Sequence, residues 1–329
     1  MTDPHAPAHS LSPVDMSVPA RSQVGRWQQV LTLQWLAVAV GLAGWGASRP
    51  DGSVAWGLLP LLWLPAVLAL QFGLAYGINR AQGLAPLSVS GMARAWWGEW
   101  RMSSAVFGWH QPWRWRRFAN GVLPVEGLSG AVPAGALPAR GVLLVHGFMC
   151  NRGLWNSLRP ALAGAGHPVL ALNLEPMFAS IDDYAPLIED AVSRLTQATG
   201  RPPVVVAHSM GGLAVRAWLR AHPGAAERVA HVVTIGTPHH GTWLARWGHG
   251  ANARQMRWHS PWLRALAASE ADRPAVPMTC WHSCGDNIVF PLGTAVWPGA
   301  EVHHLPHVGH VALLAHPDVL AHTLRLLRT

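Results

Sequence analysis

Val204-Val205-Val206-Ala207-His208-Ser209-Met210-Gly211-Gly212 is the stretch on which the reading of this chain turns. The valines and Ala207 carry no polar alternation, the pattern of a strand buried on both faces. Residues 210–221 read as a helix. Ser209 therefore sits at a sharp junction between a buried strand and a helix. Only small residues fit around such a turn, and Ala207 and Gly211 occupy those places.

The same alternation extends outward. Strands are predicted over 141–145, 169–172, 204–207, 229–235, 276–280 and 302–305. Helices are predicted over 153–165, 182–199, 210–221 and 311–328, with an irregular helical stretch over 243–272. In 182–199 the apolar residues Ala185, Ile188, Val192 and Leu195 fall near helical spacing. Strands and helices in this order predict an α/β fold, a mostly parallel sheet covered by helices on both faces.

The chemistry follows from the loops. A serine hydroxyl is a weak nucleophile until a base takes its proton. A strand–serine–helix turn lifts the hydroxyl above the sheet, as a nucleophile elbow requires. Attack on a carbonyl then needs two N–H donors for the oxyanion. The Met210 amide is one candidate. His146-Gly147-Phe148 follows the first buried strand and offers the Phe148 amide as the other, with Gly147 permitting close approach.

From residue 141 onward the chain resembles the bacterial triacylglycerol lipases and esterases of the α/β-hydrolase superfamily. The resemblance rests on His146-Gly147-Phe148, Ala207-His208-Ser209-Met210-Gly211-Gly212 and Gly236-Thr237-Pro238-His239-His240-Gly241-Thr242, in that order. It covers roughly 190 residues. Ala207 departs from the usual G-x-S-x-G, a change that a tight turn bears. The resemblance implies an ester or lipid substrate, no cofactor, and a triad in the order serine, acid, histidine. Asp286, in Ser283-Cys284-Gly285-Asp286-Asn287, is the leading acid, with Asp272 and Glu175 as rivals. His310, in Pro306-His307-Val308-Gly309-His310, is the leading base, with His304 and His307 as rivals. His146, Gly147, His208 and His239 are expected to line the substrate site.

The N-terminal third reads differently. Residues 1–26 are a polar tail without the composition for a core. Apolar runs over 30–47 and 54–78 hold no charge and approach or exceed the ~20 residues that span a bilayer. A short polar break separates them, so 27–80 reads as a transmembrane hairpin; a cleaved signal peptide is the alternative for the first run. Ala69, Gly73 and Gly77 recur at a spacing that permits close helix contact. Arginines flank both ends of the hairpin and only Arg49 lies in its turn, which predicts both ends on the cytoplasmic side of a bacterial inner membrane. Within 81–140, Trp96, Trp97, Trp100, Trp109, Trp113 and Trp115 interleave with arginine, a composition suited to the headgroup layer or to a packed cover. The 141–329 domain carries an expected cap over about 242–273.

Composition removes some classes. All 24 basic residues are arginine, which excludes lysine chemistry. The net charge of +8 is scattered or beside apolar runs, favouring membrane headgroups over nucleic acid. Three cysteines do not make a disulfide framework. Cys280, His282 and Cys284 alternate near a histidine cluster, yet match no familiar zinc spacing, and no metal is expected. Two other classes stay open: an acyltransferase on the same triad, and a non-catalytic membrane protein with a hydrolase fold. The oligomeric state is not legible.

Overall fold

A computed structural model describes residues 21–84, 87–120, 139–270 and 276–329. Its helices are α1 (Gln23–Ala47), α2 (Trp63–Ala81), α3 (Val89–Ala105), α4 (Gln111–Trp113), α5 (Arg159–Gly164), α6 (Ala185–Thr199), α7 (Met210–Ala221), α8 (Ala251–Gln255), α9 (Pro261–Glu270) and α10 (Pro317–Arg328). The strands are β1 (Val142–Val145), β2 (Val169–Ala171), β3 (Val204–His208), β4 (His231–Ile235), β5 (Met278–His282) and β6 (Glu301–His304).

The six strands form one parallel sheet in the order β2-β1-β3-β4-β5-β6. Alternate residues divide the core in two. Leu143, Val145, Val205 and Ala207 pack with Ile188, Leu195, Leu213 and Trp218 of α6 and α7. Val142, Leu144, Val204 and Val206 pack on the opposite face with Leu162, Val319 and Leu327 of α5 and α10. Full burial of each such side chain favours the fold by about 1.5–3 kcal/mol. Register brings the strand ends level: Val145 lies opposite Ala207, and His208 opposite Ile235. The sheet order reverses between β1 and β3. The loops after β1, β3 and β4 thus meet at the carboxyl edge, where open α/β sheets place their ligands.

The strand predictions hold to within a few residues, and the closing helix resolves into a 3₁₀ turn (Ala312–Ala315) followed by α10. The polar tail ends earlier than its composition suggests. The Ser22 side chain accepts the Gly25 N–H and caps α1, so residues 23–26 are helical. Residues 1–20, most of the 121–140 stretch and Asp272 lie outside the described residues.

Two stretches are long and apolar enough to cross a membrane, Gln23–Ala47 and Val54–Ala81, with mean hydropathy 1.5 and 1.9. The second is not one α-helix. Val54–Leu62 is a 3₁₀ helix containing Pro60, and α2 takes over at Trp63. Proline lacks an N–H, so Pro60 interrupts the α-helical ladder here, whereas Pro65 falls in the first turn of α2, where an N–H has no partner within the helix. The two stretches meet through tryptophan: Trp45 lies edge-on to Trp56 and Trp35 stacks on Trp63. The Ala69-Gly73-Gly77 stripe does not mediate that contact, because a Cβ at Gly73 or Gly77 would meet nothing within 4 Å. Instead α2 buries Leu68, Phe72, Ala75 and Asn79.

α3 buries a different kind of face. Gly91, Ala95, Glu99 and Ser103, each four residues apart, point inward. Its Trp97 stays exposed, as do Trp109 and Trp113 in the turns that follow. Trp96 is held inside by donating its Nε1–H to the Pro65 carbonyl of α2, at 3.2 Å.

Candidate active site

Ser209 occupies a backbone conformation that side chains rarely adopt, φ +55° and ψ −129°. Such strain persists only where the surroundings impose it. The Ser209 N–H donates to Ile235 O at 2.9 Å, and its carbonyl accepts from Thr237 Oγ at 2.9 Å. Gly211 lets α7 start hard against the sheet, since a Cβ there would strike the Val145 and His146 carbonyl oxygens. Gly147 does the same from the opposite loop: its Cβ would fall 2.7 Å from Ser209 Cβ and 3.3 Å from Ser209 Oγ. The His146-Gly147-Phe148 loop and the serine turn are therefore in contact because Gly147 and Gly211 carry no side chain where they meet.

Asp286 and His310 come together as an acid–histidine pair. His310 Nδ1 lies 2.8 Å from Asp286 Oδ2, with both side chains buried. The second Asp286 oxygen accepts the Ile288 and Val289 N–H groups at 2.8 and 2.7 Å, which fixes the carboxylate plane. Gly236, the residue after β4, makes room: its Cβ would lie 3.1 Å from His310 Nδ1 and 3.2 Å from Asp286 Oδ2. Burial lowers the His310 pKa, but the Asp286 charge and hydrogen bond, with the Glu99 carboxylate, outweigh it, and the net shift is upward.

The rivals among the described residues have other partners. Glu175 accepts the Gln23 N–H at 2.7 Å. His304 packs its ring 5.0 Å from that of His282. His307 rests against Gly91 of α3.

The two histidines nearest this pair, His208 and His146, have settled tautomers. His208 is held well below the ordinary imidazole value, at about 3, by burial and then by the charge of His310. Its neutral ring donates Nε2–H to the His310 carbonyl at 3.1 Å, and the two rings lie 4.6 Å apart. His146 is pushed by burial down to about 4. Its Nε2 accepts the Leu174 N–H at 2.9 Å, so the proton is on Nδ1, which donates to Gly147 O at 2.9 Å. In a trans peptide the carbonyl and the following N–H point in opposite directions. Fixing the Gly147 carbonyl therefore fixes the direction of the Phe148 N–H. Met210 is the first residue of α7, so its N–H has no acceptor within the helix.

His239 does not share this environment. Its side chain is buried and its polar atoms are bonded within the interior. Arg216 of α7 is fully buried, and its guanidinium donates to the His239 carbonyl at 3.0 Å and to Glu270 at 2.7 and 2.9 Å. The His239 Nε2 lies 3.2 Å from Thr234 Oγ and 3.6 Å from Cys280 Sγ. A buried guanidinium must find acceptors, and the His239 segment supplies one.

Cys280, His282 and Cys284 do not converge: Cys280 faces Thr234 and His239, while His282 faces His304, and all three cysteines are free. Among the described residues, Glu301, His303 and His322 bring ligating atoms within 4.8 Å of one another at the β6 edge. Those atoms already bond in a network, His303 to Glu301 at 2.8 Å and His322 to Thr279 at 3.2 Å.

The sequence model of the family described as alpha/beta hydrolase fold matches residues 141–264. The fold is that of the α/β hydrolases. A comparison with curated proteins by sequence finds no match. Among solved structures, the chain is similar to Aspergillus fumigatus lipase B, with a TM-score of 0.55 at 16% identity over 86% of this chain and 83% of that one. It is also similar to Bacillus licheniformis lipase BlEst2 in mature form, with a TM-score of 0.53 at 18% identity over 60% of this chain and 96% of that one. At such identities the likeness is one of fold.

Asn287 and Glu99 were not legible as part of this region. Asn287 Oδ1 accepts the His310 N–H at 3.1 Å, and its Nδ2 donates to Gln71 of α2 at 2.7 Å. Glu99 is 1% exposed and accepts from the backbone just after His310.

Proposed function

We propose that the protein is a serine hydrolase that cleaves carboxylic esters at a membrane surface through an acyl-enzyme on Ser209. The observation that carries this reading is the buried Asp286–His310 hydrogen bond, on a loop bonded directly to the residue before a strained serine turn. In this reading neutral His310 takes the Ser209 proton as the hydroxyl attacks the ester carbonyl. Asp286 orients the ring and stabilises its charged form. The Phe148 and Met210 N–H groups receive the oxyanion, the former aimed by the His146–Gly147 bond and the latter backed by the positive end of α7. The alcohol leaves with the proton from His310. Water, activated by the same imidazole, then releases the acid and restores Ser209. No metal or cofactor takes part.

The hydrophobic stretches give the reading its place. α1 and the Val54–Ala81 stretch anchor the chain in a bacterial inner membrane, with the catalytic domain on the cytoplasmic side, and the exposed tryptophans between the anchor and the domain sit in the headgroup layer. The likeness to two lipases supports an ester or lipid substrate. The stretch from 242 to 270, with Trp243 edge-on to Trp247, serves in this reading as the cap over the acyl site. The test is hydrolysis of p-nitrophenyl esters from acetyl to long-chain, with and without vesicles, by the wild type and Ser209→Ala. Cleavage by the wild type alone, stimulated by vesicles, is expected. Equal cleavage by both ends the proposal. Protease added outside spheroplasts is expected to leave the catalytic domain intact; digestion there overturns the topology.

A further inference from the structure

Behind the His310 loop lies a carboxylate that the triad chemistry does not use. Glu99 belongs to α3, which follows the apolar hairpin in sequence. Its Oε2 accepts the Val311 N–H at 2.9 Å and the Ala312 N–H at 3.0 Å. Its Oε1 accepts the Ser103 hydroxyl at 3.2 Å and shares the Val311 N–H at 3.1 Å. Val311 is the N-cap and Ala312 the first residue of the 3₁₀ turn after His310, where backbone N–H groups have no partner within the turn. Glu99 therefore caps that turn from another part of the chain, as an N-cap carboxylate would from within it.

The fit is close on both sides. A Cβ at Gly309 would lie 2.5 Å from Glu99 Cβ, so only glycine admits α3 at this distance. One helical turn earlier, Ala95 meets Gly285, beside Asp286, and Gly91 meets His307. The period-four face of α3 thus runs along both loops that carry the acid and the base. A carboxylate buried to this degree is costly unless its hydrogen bonds are satisfied, and here the partners are the backbone of the His310 loop.

Resting on the reading of Ser209, Asp286 and His310 as the catalytic set, we infer that Glu99 is a positioning residue, which holds the His310 imidazole in register with Ser209 and Asp286 by clamping the Val311–Ala312 backbone to α3. The clamp has a second arm on α2, where Gln71 holds Asn287 and Asn287 holds the His310 N–H. Helices α2 and α3 are on this account part of the catalytic support, and the 141–329 domain is not an autonomous enzyme.

Two effects of Glu99 separate experimentally. Its hydrogen bonds place the loop; its charge, with that of Asp286, faces His310 and favours the imidazolium, while neutral His208 faces the ring from β3. Glu99 is itself shifted upward by burial, against the opposing pull of His310 and of the Ala312 and Val311 N–H groups. Glu99→Gln keeps an amide oxygen for the Val311 and Ala312 N–H groups and removes the charge. Glu99→Ala removes both.

The experiment uses the full chain in detergent or nanodiscs, with p-nitrophenyl ester kinetics across pH and the His310 ring followed by NMR in protein labelled at histidine, assigned with His310→Asn. Glu99→Gln is expected to keep kcat within about threefold at its optimum, while the acid limb of kcat/KM and the His310 titration both move to lower pH. Glu99→Ala is expected to lose kcat on the order of 10²-fold with little change in KM, the scale of a misplaced catalytic group. Unchanged pH limb and His310 titration in Glu99→Gln, or near wild-type kcat in Glu99→Ala, overturns the inference. Should Glu99→Ala fail to fold, Glu99→Gln and the NMR titration still decide it. The NMR arm does not depend on turnover: a wild type with no Ser209-dependent hydrolysis but a shifted His310 titration in Glu99→Gln would refute the ester hydrolase reading and leave the clamp standing.

Discussion

The Ser209 turn and the His310 loop are neighbours, joined by the bond from His208 to the His310 carbonyl, yet they are supported from very different distances along the chain. The serine turn is held by the strands and helix that contain it or lie beside it. Ile235 and Thr237 take its backbone, and Gly211 lets α7 close on β1. The histidine loop is pinned from outside the hydrolase domain: Glu99 of α3 takes two N–H groups more than 200 residues away, and Gln71 of α2 reaches it through Asn287. One half of the site is built by the fold; the other half depends on what is attached to the fold.

Substitutions can test that contrast. The largest expected effect is at the serine itself: Ser209→Ala should lower kcat/KM for p-nitrophenyl esters by on the order of 10⁵-fold. Gly211→Ala forces the α7 N-terminus off the Val145 carbonyl and should cost about 2–3 kcal/mol of stability, seen as a lower Tm, with a matching loss of labelling at Ser209. On the histidine side, Asn287→Ala leaves the His310 N–H without its acceptor and should lower kcat about tenfold, equivalent to one buried hydrogen bond. Gln71→Leu breaks only the outer link and should cost about twofold in kcat. A larger loss from Gln71→Leu than from Asn287→Ala would mean that the α2 contact acts by another route.

The pH profile is the mildest probe. In the proposed mechanism His310 must be neutral to accept the Ser209 proton, and its pKa is raised, so activity should fall as pH drops through a limb lying above the ordinary imidazole value. His208 and His146, held at about 3 and about 4, are already neutral there, so a single protonation should describe the limb.

The same contrast explains what the sequence discloses. Nine consecutive residues contain almost everything the serine turn needs, so it is legible, as are the strands whose valines have no polar alternation. Asp286 and His310 are legible as candidates because each follows a late strand; that they meet is a fact of the fold. Glu99 is not legible, because its partners are backbone amides, which every residue possesses. The one available sign is the face Gly91-Ala95-Glu99-Ser103, small residues and a single acid among tryptophans and arginines. The bond from the buried Arg216 of α7 to the His239 carbonyl is not legible for the same reason. The stripe of Ala69, Gly73 and Gly77 has the spacing for a close contact, and no other described residue of this chain packs on its glycines.

The most direct test of the central claim is to react the full chain with a fluorophosphonate and map the adduct by peptide mass spectrometry. A single adduct on Ser209, lost in His310→Asn as well as in Ser209→Ala, is the result expected. An adduct on another residue, or esterase activity that persists without any adduct at Ser209, would contradict the account.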